Sequence, residues 1–252
     1  FFNDFGKKTA DFYKLERLDP GYQVFFGEND SICIGDSLEK IYAAFEKEEK
    51  GSSVKLMKFI KIASENYDIA IKDLVYRPGI SPLELITPTT IKKIKYFLSN
   101  IKRDVCKDFV SPKLRQILQF PVLFLGAKPS ETPSFYNFMN YADFGLGTWH
   151  PEKGMYSIVE AMSSLAKSLG VKFHTESNVE KILVNESRNI AGIKINGDIL
   201  KADVVLSGAD YHHSESLLDK KHRRYSNAYW DKKVFAPSSL LFYIGLNKKV
   251  KN

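Results

Sequence analysis

The first part of the chain begins with short β-prone runs and continues into amphipathic helical segments. Residues 22–27 and 31–35 are apolar runs, and the turn-forming residues 28–30 between them predict a β-hairpin. A helix is predicted next, with Asp36 as its N-cap and Glu39 as the capping-box partner three residues later. The hydrophobic pattern therefore places a hairpin directly before the first helix.

Two longer helices are predicted because apolar residues recur at about the helical period of 3.6 positions. One spans about residues 53–75 and ends at Pro78-Gly79, and the other runs from Pro88 to Phe109. The opposite face of the second helix is basic and carries Lys92, Lys93, Lys95, Lys102, Arg103 and Lys107. Such a helix either packs its apolar stripe on a core or lies on an anionic membrane surface.

The pattern changes after Trp149, where a helix and several short strands follow one another. The helix is expected to stop at Gly170, because glycine often ends helices in the left-handed conformation. The predicted strands cover residues 171–174, 179–184, 190–195, 203–206 and 239–245, and the last of them is expected to return to the first domain's sheet. The change predicts a first domain over residues 1–149, part of an α/β domain over 150–214, and a return to the first domain over 215–252.

Composition alone does not identify a binding partner. The net charge is +7, which fits nucleic acid, an acidic substrate, an anionic membrane or simply a well-solvated surface. No RNP motif, helix-turn-helix signature or zinc finger is present, so no nucleic-acid partner is expected. Cys33 and Cys106 form no metal-ligand spacing, and no metal is predicted. The sequence starts without Met and has a strand-like run near its last residues, and we expect it to be the central part of a longer protein.

Motifs that bind nucleotides are missing from the sequence. The nearest match to a glycine-rich phosphate loop begins at Gly145 and Gly147, but it lacks the third glycine, and Pro151 follows it. We therefore predict no phosphate loop here. Walker, HExxH and GxSxG motifs are also absent from the sequence.

Several segments, in consistent order, resemble the phytoene desaturase family of carotenoid biosynthesis, in its flavobacterial type. They begin with Leu-Asp-Pro-Gly-Tyr at 18–22 and continue with Phe-Pro-Val-Leu-Phe-Leu-Gly at 120–126, Met-Asn-Tyr-Ala-Asp at 139–143, Gly-Thr-Trp-His-Pro at 147–151, Val-Glu-Lys-Ile at 179–182 and Gly-Ala-Asp at 208–210. The chain departs from the family at Lys153-Gly154, where two adjacent glycines are usual. It also lacks the family's glycine-rich flavin motif and its C-terminal flavin segment.

The resemblance implies the central part of a two-domain, FAD-dependent, amine-oxidase-like flavoprotein fold of mixed α/β type. Residues 1–149 would then belong to the substrate-binding domain and 150–214 to the FAD-binding domain. The whole enzyme would bind FAD noncovalently and desaturate phytoene, while this chain alone would hold FAD weakly or not at all. The alternatives are a related desaturase for a hydroxylated or shorter polyene, or a non-catalytic domain that binds apolar ligands or a membrane surface.

The same resemblance implies candidate site residues. An apolar substrate slot would be lined by Phe120, Leu123, Phe124, Tyr136, Met139, Tyr141 and Trp149, although such residues are often plain core. Val179 would offer its backbone to the adenine of FAD, and Ser207, Gly208 and Ala209 would lie at a strand end where α/β sheets bind ligands. Glu84 is either an acid or base in the reaction or a solvated loop residue. A cytoplasmic enzyme that docks on the membrane through residues 89–109 would reach a carotenoid dissolved in the bilayer.

Overall fold

The computed structural model describes residues 1–234 and 238–248 of the chain. The strands are β1 (Leu15–Arg17), β2 (Tyr22–Gly27), β3 (Asp30–Ile34), β4 (Trp149–Pro151), β5 (Val179–Val184), β6 (Ile190–Ile195) and β7 (Asp198–Leu200). The helices are α1 (Leu38–Glu48), α2 (Ser52–Lys72), α3 (Pro88–Lys92), α4 (Ile94–Leu98), α5 (Ile101–Asp108), α6 (Pro112–Gln119), α7 (Phe138–Phe144), α8 (Tyr156–Ser168), α9 (Tyr211–Ser216) and α10 (Asn227–Trp230).

The chain divides into two compact units within α8. One comprises Phe1–Ser163 with the described residues from Ser239 onward, and the other runs from Ser164 to Ser238. The division therefore falls after Ser163 rather than after Trp149, because β4 pairs antiparallel with β1 in the first unit. Residues 215–234 likewise belong to the second unit rather than to a return segment.

The predicted hairpin is confirmed. Strands β2 and β3 pair antiparallel, with Tyr22 opposite Ile34 and Val24 opposite Ile32. Both isoleucines are buried in the core of the first unit. The hairpin thus covers one side of that core.

The first two helices are confirmed with small differences at their ends. Ser37, not Asp36, caps α1, since its hydroxyl accepts a hydrogen bond from the backbone N–H of Lys40 at 3.3 Å. Asp36 instead forms an ion pair with the ammonium group of Lys40 at 2.8 Å. Gly51 precedes α2 with a φ of 81°, a left-handed conformation that suits glycine.

The single helix predicted over residues 88–109 is wrong, because the chain forms α3, α4 and α5 instead. The break before α5 is caused by hydrogen bonds from the backbone at Ser99 and Ile101 to a loop that is distant in the sequence. The N–H of Ile101 donates to the carbonyl of Thr132, and the carbonyl of Ser99 accepts from the N–H of Ser134. Asn100 then caps α5 by accepting from the N–H of Arg103 at 2.9 Å.

Aromatic rings fix the core of the first unit. Phe45 of α1 packs edge-on against Phe109 and Phe144, with ring centroids 6.2 and 6.1 Å apart. Phe59 of α2 meets Phe109 at 6.5 Å. The rings of Phe45, Phe109 and Phe144 are almost completely buried, so the helices are joined through one apolar cluster.

The second unit contains an antiparallel sheet in the order β5-β6-β7. Two of its strands, β5 and β6, were predicted, and β7 was missed. The turn between β6 and β7 places Asn196 and Gly197 at φ 49° and 93°, which is the Asn-Gly pattern of a tight hairpin. Helix α8 ends as predicted before Gly170, whose φ is 86°.

Three predicted strands are wrong. Residues 171–174, 203–206 and 239–245 form no strand, and their large apolar side chains other than Val205 are exposed, Leu206 to 97%. A β-strand exists only where its N–H and C=O groups pair with a neighbouring strand, and these segments have none among the described residues. Apolar composition was therefore insufficient to form strands here.

Candidate substrate and flavin sites

An exposed apolar segment follows α6. Residues Phe120–Leu125 form a 3-10 helix with a proline at its start, and Gly126 ends it in the left-handed conformation. Leu123 and Phe124 of this segment are largely exposed, Phe124 to 73%. The ring of Phe120 lies 5.4 Å from Phe124 and 6.5 Å from Tyr22. The three candidate slot residues of this segment are thus adjacent and open to solvent.

The remaining candidate slot residues fall into different surroundings. Tyr136 and Tyr141 pack against the core of the first unit, and Met139 beside them is half-buried. Trp149 is exposed on β4, and its indole N–H donates to the carbonyl of Leu146 at 2.9 Å. The structure therefore brings Phe120, Leu123 and Phe124 together, while Tyr136 and Tyr141 also serve the core.

The glycines before Trp149 have a packing role. A Cβ on Gly147 would lie 2.6 Å from Nε of Arg17, and the φ of Gly147 is 77°. A Cβ on Gly145 would lie 2.6 Å from the ring of Tyr141. Close approach of neighbouring side chains explains both glycines, in agreement with the rejection of a phosphate loop.

A polar pair that was not predicted lies beside the apolar segment. The hydroxyl of Tyr22 on β2 donates to a carboxylate oxygen of Asp143 on α7 at 2.6 Å, and the pair is half-buried. Burial raises the pKa of Asp143, although the hydrogen bond from Tyr22 acts in the opposite direction. Burial, followed by the charge of Asp143, raises the pKa of Tyr22 well above its usual value. No local sequence signal joins two residues so far apart in the chain.

Glu84 is held by the backbone of its own loop. Its carboxylate accepts hydrogen bonds from the N–H groups of Gly79, Ile80 and Ser81 at 2.9, 2.9 and 3.0 Å. Burial alone would raise the pKa of Glu84, but these hydrogen bonds and the charge of Arg77 lower it. A carboxylate stabilised in its ionised form is a weak proton acceptor, so this geometry favours a loop-ordering role. The acid–base role of Glu84 stays a prediction.

The candidate flavin residues lie on two separate segments. Val179 begins β5 and pairs with Ile195, whereas residues 207–209 are exposed outside any strand. The hydroxyl of Ser207 is bonded to that of Ser214 at 2.6 Å. Asp210 caps the following helix by accepting from the N–H of His213 at 3.1 Å, which places a carboxylate where a phosphate would be repelled. The residues present therefore do not form a complete dinucleotide site.

Comparison with known proteins gives the family. Residues 91–232 match the family described as flavin containing amine oxidoreductase, and the chain belongs to that family. The expected amine-oxidase-like flavoprotein fold is thereby confirmed, as is the flavin chemistry of the family.

The chain is similar in sequence to several curated carotenoid desaturases. A carotenoid 3,4-desaturase from Haloarcula japonica is 34% identical over 99% of this chain and 51% of its own length. A zeta-carotene-forming phytoene desaturase from Myxococcus xanthus is 27% identical, with 98% and 48% covered. A 4,4'-diapophytoene desaturase from Staphylococcus haemolyticus is 26% identical, with 100% and 51% covered. The chain thus spans about half the length of the curated relatives it matches, and the predicted resemblance is confirmed.

Proposed function

We propose that this chain is part of an FAD-dependent carotenoid desaturase, with phytoene as the favoured substrate. The observation that carries the proposal is the 34% identity to a carotenoid 3,4-desaturase along almost the whole chain. The relatives' names include different polyenes, so a hydroxylated or shorter polyene is the alternative substrate. Carotenoid desaturation is the reaction class common to all of them.

The exposed segment over residues 120–125 supports a role in holding such a substrate. A polyene offers almost no hydrogen-bonding groups, so a protein can position it only by apolar contact and shape. Phe120, Leu123 and Phe124 present adjoining apolar surface that the first unit does not bury. Flavin supplies the redox chemistry in this family, and this chain would contribute the apolar wall and exclude water from it.

Activity of the complete gene to which this sequence belongs tests the proposal. Expressed in a bacterial host that accumulates phytoene, it should give products with additional double bonds, identified by mass and absorption spectrum. Phe124→Ser should lower turnover because it makes the wall polar, whereas Phe25→Ser, at a similarly exposed ring on β2, should not. An unchanged phytoene pool would contradict phytoene as the substrate. Equal losses of turnover in both variants would contradict the role of residues 120–125 as an apolar wall.

We also propose that the enzyme is cytoplasmic and works at a membrane surface. Within residues 89–109, the apolar side chains divide into two groups. Ile91, Ile94 and Leu98 are exposed, whereas Ile101 and Val105 are buried in the core. Only the first group is available to enter a bilayer, so the docking surface would lie on α3 and α4. None of the helices among residues 1–234 and 238–248 is long and apolar enough to cross a membrane.

A non-catalytic binding domain is the second candidate for the chain by itself. The missing glycine-rich loop favours it, and the chain would then hold FAD weakly or not at all. Flavin absorbance of the purified chain and of the complete protein discriminates the two readings. Stoichiometric FAD in the chain alone would overturn this second candidate.

A further inference from the structure

A cavity of 640 Å³ lies between α2, α4 and α5 in the first unit. Its wall includes four cationic side chains from these three helices: Lys58, Lys95, Arg103 and Lys107. Two carboxylates, Asp104 and Asp108, also line it, so its formal charge is four minus two, or +2. The cavity is therefore a concave cationic surface of the first unit.

The four cations have no anionic partner among the described residues, and Nζ of Lys95 lies 4.8 Å from the ring centroid of Tyr96. Within residues 1–234 and 238–248, none of them forms an ion pair or a side-chain hydrogen bond with another residue. Neighbouring lysines differ in this respect, since Lys55 pairs with Glu49 at 2.8 Å and Lys93 pairs with Glu65. Of the two carboxylates, Asp104 already accepts a hydrogen bond from the hydroxyl of Ser99. Unpaired positive charge thus collects at this cavity.

The cavity opens beside exposed apolar side chains. Leu98 forms part of its wall and is 79% exposed. Ile91 and Ile94, on the preceding turns of α3 and α4, are also more than half exposed. A free phosphate would use only the cations, whereas a phospholipid would use both features: its head group would meet the cations and its acyl region the apolar side chains.

We propose that this cavity binds the phosphate head group of an anionic phospholipid and so fixes the chain on a bilayer. The inference rests on the proposed function, because a lipid-soluble substrate gives the enzyme a reason to sit on a membrane. Charge complementarity selects anionic over neutral lipid, since each Lys or Arg near an anionic surface contributes on the order of 1 kcal/mol, or about fivefold in affinity. Leu98 and its neighbours then enter the bilayer beside the bound head group.

Sedimentation of this chain with phosphatidylcholine vesicles, with and without phosphatidylglycerol, tests the site. The variant Arg103→Gln/Lys107→Gln should bind anionic vesicles about thirty-fold more weakly, which is about fivefold for each cation removed. Lys47→Gln/Lys50→Gln is the matched control, because it removes two exposed lysines of the first unit that lie outside the cavity wall and outside α3 to α5. Its loss should be clearly smaller than that of the cavity variant, because the attraction of a charge to an anionic bilayer falls off within a Debye length of the surface. Circular dichroism and urea unfolding verify that both variants fold.

A third variant separates the two sources of phosphate. Leu98→Ser should weaken vesicle binding but leave any binding of soluble glycerol phosphate unchanged. Equal losses of vesicle binding in the two double variants would show that binding depends on diffuse charge attraction and not on the cavity. Vesicle binding that is insensitive to Leu98→Ser, together with saturable glycerol phosphate binding, would overturn the bilayer assignment. Desaturation assayed in detergent is a separate measurement, so failure of lipid binding and failure of the proposed activity are distinguishable.

Discussion

The surroundings of single carboxylates in this chain shift their pKa values in opposite directions. Glu84 is held ionised by three backbone N–H groups, whereas Asp143 has one partner, the hydroxyl of Tyr22, in half-buried surroundings. Burial raises the pKa of Asp143, and it lies next to the apolar segment through the contact between Tyr22 and Phe120. Of these two groups, Asp143 is therefore the one whose surroundings favour the protonated form over the ionised form.

Asp143→Asn should stabilise the fold at neutral pH. The folded chain binds a proton at Asp143 more tightly than the unfolded chain, so stability falls as pH rises from the ordinary carboxyl pKa through the raised one. Asn keeps an acceptor for Tyr22 without the charge. Urea unfolding at pH 7 and at pH 4 should show the gain shrinking at the lower pH. A variant less stable than the parent at pH 7 would contradict the assignment.

Tyr22→Phe should act in the opposite direction. It removes the hydrogen-bond donor and leaves the half-buried carboxylate of Asp143 unpaired, at a cost of about 1–3 kcal/mol in unfolding free energy. Combining it with Asp143→Asn tests the coupling, since Asp143→Asn should stabilise the Tyr22→Phe variant by more than it stabilises the parent. Strictly additive effects would show that the two groups do not interact.

Helices and the hairpin were predictable where the signal is local. The apolar periodicity correctly predicted α1, α2 and α8, because each of these helices buries one face. The break before α5 was not predictable, since it depends on hydrogen bonds from Ser99 and Ile101 to a distant loop. The Tyr22–Asp143 pair was missed for the same reason. Pattern reading therefore identified elements, while pairings between distant segments required the structure.

The junction between α1 and α2 depends on one carboxylate, and Glu46→Gln should weaken it. Glu46 accepts hydrogen bonds from the hydroxyl and N–H of Ser53 and from the N–H of Gly51, which lower its pKa to about 2. This contribution is present above the ordinary pKa of 4.5 and is lost as pH falls towards 2. The urea midpoint should thus be lower than the parent's at pH 7, and the difference should close near pH 2. Glu39→Gln, on the same helix without such bonds, is the control and should change little at either pH.

The whole first unit depends on the aromatic cluster that joins its helices. Phe45→Ala should reduce the unfolding free energy by about 3–5 kcal/mol, because it opens a cavity against Phe109 and Phe144. Phe25→Ala is the control, since that ring is half-exposed on the hairpin, and it should cost about 0.5 kcal/mol or less. Similar costs for the two variants would mean that the cluster is not the core of the unit.

The second unit leaves two apolar segments, residues 171–174 and 203–206, outside every strand of the described residues. The curated relatives are about twice as long as this chain, and strand partners for these segments would come from such additional sequence. Backbone amides in both segments, apart from Val171, whose N–H donates to the carbonyl of Ala166 at 3.1 Å, should therefore exchange with solvent rapidly in the chain alone and slowly in the complete protein. The β5–β6 amides, which are paired in the antiparallel ladder, serve as the internal control. Hydrogen-exchange mass spectrometry measures both sets of amides. In addition, the purified chain should be colourless because it lacks bound flavin, whereas the complete protein should be yellow. Slow exchange of residues 171–174 in the chain alone would show that they already have a partner. Missing strand partners would then not explain weak flavin binding by the chain.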